Sequence, residues 1–324
     1  MTLCQSALVT GATGFLGSVL VERLVAERVE ITALVRSNER ATSLRLLRGV
    51  NVIEVNSWDV ATLTAKLKGV HADVVFHLAS YGVQQNQRDQ SQLIDGNIGL
   101  VTGLLQAAAD LPLRRFIHTG SCSEYGFPDQ EGALVAETQP IRPKSPYGAA
   151  KAASVLCGNA LACSLGIPFV TLRLFGVFGT REGPDRLVPY VISRLLNHQP
   201  VDLTWGEQVR DFLFEDDVAE AFLAAASADG LKSGEIYNVC SSRATRIRSL
   251  GELVADVMEK PRDLLRWGQR PYRPDEPMWM VGDCRRFQEA TGSWSAKISL
   301  PEGIRRMIDH ARHSRGQEGM RNGL

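Results

Sequence analysis

The sequence predicts an α/β protein, a doubly wound parallel sheet with helices on both faces followed by a smaller C-terminal α/β lobe. Three observations carry that prediction. Short β-branched or apolar runs alternate with longer stretches of helical periodicity through the first half. A glycine-rich turn stands at the first strand–helix junction, and beyond about Thr180 the rhythm gives way to a segment richer in proline, arginine and tryptophan. Strands separated by helices imply βαβ units, hence a parallel sheet covered on both faces with ligands at the carboxyl ends of its strands.

The elements follow in order. Strands are expected at Ala7–Thr10, Ile31–Val35, Val52–Val55, Val74–Leu78, Phe116–Thr119 and Phe169–Leu174. Between them Phe15–Glu27, Ala61–Lys68 and Leu93–Ala109 repeat apolar residues at helical spacing. Residues 1–179 are read as the first domain and 180–324 as the smaller lobe, with 211–240 returning partly to the first. In that second part helices are expected at Asp216–Ala228 and Leu250–Glu259, and a strand at Ile236–Val239. The polar tail 313–324 is expected to be flexible.

Composition narrows the function classes. The 324 residues are 44% hydrophobic and 22% charged, as in an ordinary globular enzyme. Lys+Arg and Asp+Glu are 36 each, so no global basic field draws nucleic acid or an anionic membrane. The N-terminus has no secretory-signal pattern, and no apolar run approaches the roughly 18 residues that span a bilayer. The six cysteines are scattered without CxxC spacing, which points to reduced thiols rather than disulfides or a metal site. A cytoplasmic location is expected.

The run Ala7-Leu-Val-Thr-Gly-Ala-Thr-Gly-Phe-Leu-Gly17 places glycines at 11, 14 and 17 between a buried strand and an amphipathic helix. Gly11 suits a tight turn, Gly14 lets a pyrophosphate approach the backbone, and Gly17 lets helix and strand pack closely. The helix N-terminus adds unpaired N–H groups and partial positive charge. The first domain is therefore read as dinucleotide-binding, and the second lobe as substrate-binding. Arg36 stands at the end of the second strand, where an acid would bind ribose hydroxyls and repel a 2′-phosphate. A guanidinium matches a phosphate in geometry and charge, so NADP(H) is favoured and NAD(H) is the alternative. Asn56, after the third strand, is either an adenine contact or a turn former.

Ser145-Pro-Tyr-Gly-Ala-Ala-Lys151 puts Tyr147 and Lys151 four residues apart, on one face of a helix whose start Ser145 and Pro146 signal. A phenol titrates near pH ~10, too high for efficient proton exchange at neutrality. A neighbouring lysine cation is expected to lower that value, and to hold nicotinamide ribose hydroxyls. His118-Thr-Gly-Ser-Cys-Ser-Glu-Tyr-Gly126 closes the fifth strand on the same sheet edge. Ser121 is the candidate for orienting the reacting oxygen, with Ser123 in reserve; Cys122 is read as a small filler.

Together these residues resemble the extended short-chain dehydrogenase/reductase family, in its nucleotide-sugar epimerase/dehydratase/reductase group. The resemblance runs from about Ala7 to Arg306 and rests on TGATGFLG (Thr10–Gly17), HLAS (His77–Ser80), Asn97, GSCSEYG (Gly120–Gly126), YGAAK (Tyr147–Lys151) and LRLFGVFG (Leu172–Gly179). RDFLFEDDVAEA (Arg210–Ala221) and YNVCS (Tyr237–Ser241) extend it. It implies a Rossmann-type sheet, with Ser121, Tyr147 and Lys151 as catalytic triad and Asn97 supporting the lysine through its helix and water. It implies cofactor contacts at Gly11, Thr13, Gly14, Phe15, Leu16, Leu78 and Ala79. Arg210 and Arg273 resemble the family's phosphate-binding arginines; an ion pair with Asp211 or Asp275 is the ordinary alternative for each. Two departures stand out. Cys122 and Ser123 replace the Asp-Glu pair that 4,6-dehydratases place after the catalytic Ser/Thr, and Gly176 replaces a sugar-contacting asparagine.

Arg36 and the missing elimination acids lead to an expected NADPH-dependent ketoreductase of a nucleotide-linked keto sugar, most simply a 4-keto-6-deoxy sugar. An NAD-dependent C4 epimerase of a nucleotide sugar is the runner-up. Reduction of a non-sugar ketone and a non-catalytic NADP(H) sensor are lesser alternatives. Family likeness also implies a homodimer through helices at Leu93–Ala109 and Ala149–Leu165.

Overall fold

The computed structural model describes residues 4–36, 41–83, 86–292 and 294–321, with side chains of 315–321 excepted. Seven strands form the central sheet: β1 (Ser6–Thr10), β2 (Glu30–Val35), β3 (Val50–Glu54), β4 (Val74–His77), β5 (Arg115–Ser121), β6 (Phe169–Leu174) and β7 (Ile236–Val239). Their order is β3-β2-β1-β4-β5-β6-β7, and every pairing is parallel. The order reverses between β1 and β4, and the crevice at their carboxyl ends is where such a sheet binds ligands.

Successive side chains along each strand join opposite cores, because they face opposite sides of a sheet covered on both. Leu8, Val75, Phe116 and Phe169 join one core, under helices Val60–Leu67 and Leu100–Ala107. Val9, Phe76, Ile117 and Val170 join the other, under helices Phe15–Ala26 and Glu215–Ser227. The expected helix at Leu93–Ala109 is three pieces: Gln90–Ile94, a π-helical turn at Asp95–Gly99, and Leu100–Ala107. Periodicity alone does not reveal a π-turn, which inserts one residue into the α-helical ladder.

The second lobe has its own core, formed by helices Leu187–Leu196, Ile247–Val257 and Leu300–Arg321 around Val191, Leu195, Val254 and Ile304. Residues 211–240 run back to the first: Phe212–Phe214 pairs with Gly176–Phe178, and β7 adds an edge strand beside β6. The tail is helical through Arg321, and residues 322–324 lie outside the described residues. The 20-residue helix Pro146–Leu165 has mean hydropathy 1.2, long and apolar enough by composition to cross a bilayer, contrary to the sequence expectation. Here it is a core helix: Ala150, Lys151, Ala152, Ser154 and Val155 are buried, and it packs on β5 and β6.

Two histidines lie inside this packing. His77 and His118 stack with ring centroids 5.3 Å apart, and His118 stacks on Phe169. Thr10 meets His77 at 2.7 Å and Ser154 meets His118 at 3.2 Å. Burial, helped by the Lys151 charge, holds His77 down to about 3 and His118 well below its ordinary value. Both stay neutral in the fold at a pH where the unfolded chain takes up protons. Stability is therefore full above pH ~6.5 and declines as pH falls below it, by about 2 kcal/mol per histidine at pH ~5. The urea midpoint is expected to fall between pH 7 and 5, and His118→Phe to reduce that fall by about half. An unchanged slope in the variant contradicts the assignment.

Candidate active site

The glycine turn closes as its sequence requires. Gly11 has φ 72°, and a Cβ there would lie 2.7 Å from the Ala79 amide nitrogen. A Cβ on Gly17 would meet the Gly11 carbonyl oxygen at 2.0 Å, so helix and strand approach as only glycine allows. Gly14 is the extended N-cap of helix Phe15–Ala26 and supplies no side-chain cap, leaving the first N–H groups for an anion. This cradle fits the pyrophosphate of a dinucleotide.

The turn opens into a cavity of about 1700 Å³. Thr13, Gly14, Phe15 and Leu16 line it beside Gly11, as do Arg36 at the end of β2 and Leu78 and Ala79 after β4. Ser121, Ser123, Tyr147 and Lys151 line its middle, and Arg210 and Arg273 its far part. Two candidates are not on the wall. Asn56 is exposed beyond β3, and Trp58 takes the wall position there. Asn97 is buried behind the wall in the π-turn, its amide donating to Tyr81 O (2.9 Å) and Leu93 O (2.8 Å). Its Oδ1 has no protein partner among the described residues.

Tyr147 and Lys151 share a helix face because Ser145 caps the helix, its Oγ accepting from Gly148 N at 3.1 Å, with Pro146 in the first turn. Gly148 then seats the helix on the serine turn, for a Cβ there would lie 2.4 Å from Ser123 O. The Ser121 side chain lies close enough to the Tyr147 phenol to pull its pKa down. Burial pushes that phenol up to about 12, against the lowering pull of Ser121 and Arg186. The expected shift toward neutrality is thus not produced by the protein's own groups, because burial outweighs them. Lys151 is 2% exposed, and burial pushes its amine down to about 8 while the Glu124 carboxylate opposes the shift.

Glu124 holds the serine turn from behind. Its Oε1 accepts from Ser121 N at 2.6 Å, and Oε2 accepts from Arg173 Nε and Nη2 at 2.9 and 2.6 Å. Both side chains are 1% exposed or less, and the guanidinium lies 4.3 Å over the Tyr125 ring. Tyr125 donates to Asn238 Oδ1 at 2.7 Å, which carries the network to β7.

The two arginines converge, but on a carboxylate the sequence reading missed. Glu276 pairs with Arg210 and with Arg273 (2.7 Å), while Asp211 accepts from Ser241, Ser242 and Gly282. Neither anticipated alternative partner, Asp211 or Asp275, is used. Gly176 is enforced sterically: a Cβ there would lie 2.3 Å from Asp211 O, so no asparagine fits this backbone. The reading also missed Trp58, Glu182 and Arg186 on the cavity wall. For Glu276 a signal existed in its place three residues after Arg273 in RPDEP; the others lie in segments without a recognisable motif.

A doubly wound sheet, a glycine cradle and a Ser–Tyr–Lys constellation on one cavity define a nicotinamide-dependent oxidoreductase of the extended short-chain type. The model of the NAD dependent epimerase/dehydratase family matches residues 7–240, and the chain belongs to that family. It is similar to the UDP-glucose 4-epimerase of Mycolicibacterium smegmatis, at 29% identity over 94% of this chain and 98% of the relative. A dTDP-glucose 4,6-dehydratase of Xanthomonas campestris is 28% identical over 93% of this chain and 92% of the relative. Among solved structures, UDP-glucuronic acid 4-epimerase from Bacillus cereus, in complex with UDP-glucuronic acid and NAD, superposes with TM-score 0.84. Its identity is 26%, covering 95% of this chain and 99% of that one.

Gly82 seats the tyrosine. It has φ 99°, and a Cβ there would lie 2.9 Å from Tyr147 Cδ2 and 2.5 Å from Leu93 Cδ2. Gly82→Ala is expected to displace the phenol and lower kcat by about 100-fold, as misplacement of a reacting group does, with dinucleotide affinity changed less than about threefold. Steady-state kinetics beside cofactor titration check this; unchanged kcat contradicts the seating.

Proposed function

We propose that this protein is an NAD-dependent C4 epimerase of a nucleotide-linked sugar. The observation that carries the reading is the Ser121–Tyr147–Lys151 constellation without acid–base groups directly after Ser121. Cys122 is held near 12 by burial, and the Ser123 amide donates to Ser121 Oγ at 3.2 Å. Neither supplies the carboxylate that elimination of water needs, and that removes the support for a dehydratase. The likeness to two 4-epimerases favours epimerisation over the ketoreductase expected from Arg36.

Held by the Gly11–Gly17 turn and Lys151, an oxidised nicotinamide would supply a reversible hydride acceptor for C4 and a positive charge that favours the Tyr147 phenolate. Tyr147 takes the proton of the C4 hydroxyl and, once the sugar has turned, gives it back to the same oxygen as the hydride returns to the opposite face of C4. Ser121 hydrogen-bonds the same oxygen and aligns it. Lys151 holds the ribose hydroxyls beside the phenol, and Asn97 stands behind that lysine. Arg210 and Arg273 take the diphosphate. Because the hydride returns, the cofactor has no reason to leave between turnovers.

A second reading, the NADPH-dependent ketoreductase, keeps one specific support: the Arg36 guanidinium lines the cofactor end of the cavity, where a 2′-phosphate would sit. We also infer a homodimer, since Leu156 on helix Pro146–Leu165 is 62% exposed; analytical ultracentrifugation decides it.

Mass spectrometry of the purified protein is expected to find NAD carried through purification. Exchange between C4 isomers of a UDP-, dTDP- or CDP-linked hexose is expected with no added nicotinamide. Tyr147→Phe is expected to lower that exchange by about 10²–10⁴-fold with cofactor retained. Stoichiometric NADPH consumption on a keto sugar, collapsing in Arg36→Ala, would put the reductase first.

A further inference from the structure

Arg186 belongs to no motif identified above, yet it stands on the wall of the cavity. It comes just before helix Leu187–Leu196, and its amide closes a turn by donating to Gly183 O at 3.0 Å. Its side chain is 52% exposed and is held by the protein at one nitrogen. Nε donates to Glu182 Oε1 at 3.1 Å, and neither Nη1 nor Nη2 has a hydrogen-bond partner among the described residues.

Glu182 lies behind the guanidinium with its side chain 7% exposed, and burial holds its acid up to about 7. That acid is a weak counter-ion near neutrality, so much of the Arg186 charge is left over. Arg186 forms no ion pair with another carboxylate among the described residues, its neighbour Asp185 included. The charge reaches the reacting end, for it acts on the Tyr147 phenol.

Sugar geometry then says which substrate group this cation meets. Tyr147 works at C4 in the reading above. On a pyranose the diphosphate hangs from C1, across the ring, whereas C6 is carried by C5, the neighbour of C4. Arg210 and Arg273 stand in the far part of the cavity for the diphosphate, which leaves Arg186 to the substituents around C4. Two free nitrogens in one plane match two oxygens on one carbon. A carboxylate at C6 presents such a pair; a hydroxymethyl group presents a single oxygen.

We propose that Arg186 is a substrate-binding, specificity-determining residue whose two Nη nitrogens take a C6 carboxylate, so that the site prefers a nucleotide-linked hexuronic acid to the neutral hexose. The inference rests on the nucleotide-sugar reading above and deepens it by naming the sugar class. The neutral hexose still enters, its C6 hydroxyl accepting from one of these nitrogens, but it forgoes the charge-assisted pair. A carboxylate near the phenol would by itself oppose the phenolate, and pairing with the guanidinium offsets that charge.

The test is calorimetric titration of wild type, Arg186→Leu and Arg186→Gln, each loaded with NAD. The probes are UDP, dTDP and CDP, each free, linked to glucose and linked to glucuronic acid. The free diphosphate reports the nucleotide subsite and serves as the folding control. For the nucleotide that binds, wild type is expected to hold the glucuronic acid form about tenfold more tightly than the glucose form. Arg186→Leu is expected to abolish that preference, weakening the glucuronic acid form by about tenfold or more and the free diphosphate by less than about twofold. Arg186→Gln, which keeps a donor and removes the charge, is expected to lose the preference while holding the glucose form within about threefold of wild type. Wild type without preference for the uronic acid, or a preference that survives in either variant, overturns this inference alone. Equal weakening of the free diphosphate and both sugar forms does the same, because it marks a phosphate ligand or a merely structural residue. Wild type that gains nothing from either attached sugar, or binds none of the nucleotides, overturns the nucleotide-sugar reading, and this inference with it.

Discussion

One buried carboxylate, Glu124, joins most of what the site needs. It takes the Ser121 amide on one oxygen and the Arg173 guanidinium on the other, with both charged side chains 1% exposed or less. Ser121 ends β5 and Arg173 lies on β6, so the contact ties two strands at the edge where the cavity opens. Its charge also sustains the proton on Lys151. Such a pair is costly to desolvate, and losing either partner leaves an uncompensated charge worth about 3–5 kcal/mol. Its value here is geometric: it sets the position of the Ser121 hydroxyl against Tyr147, where a shift of about 1 Å is expensive for catalysis.

Around that anchor the cavity divides by chemistry. At one end, backbone N–H groups and a helix terminus suit phosphates without charged side chains. In the middle, a buried lysine and a phenol with an elevated pKa await a positive charge to complete them. At the far end two arginines share Glu276, so their charge is half-neutralised by the protein itself.

The parallel sheet was legible because its strands are buried on both faces and read as short apolar runs between amphipathic stretches. The glycine turn and the Tyr147–Lys151 spacing were legible because local geometry fixes which residues they need. The Asp95–Gly99 π-turn was not legible, since one inserted residue barely disturbs an apolar pattern, and neither was the displacement of Asn56 by Trp58 at the wall. Glu276 was half-legible, since Arg273 stands three residues before it while its other partner, Arg210, lies 66 residues away. The pKa expectation for Tyr147 erred for a related reason: sequence spacing supplies the lysine but not the burial that outweighs it. The leading reaction moved from reduction to epimerisation because one exposed arginine says less about chemistry than whole-chain likeness does.

The central claim is that Tyr147, Ser121 and Lys151 carry out a reversible oxidation at C4 with no net redox change. The direct test supplies a nucleotide-linked glucose with deuterium at C4, using the UDP, dTDP or CDP form that binds, and no added nicotinamide. The account predicts the galactose isomer with deuterium retained at C4, because the same hydride returns to the same carbon. Loss of the label from C4, or no isomer from any of the three nucleotides, would contradict it.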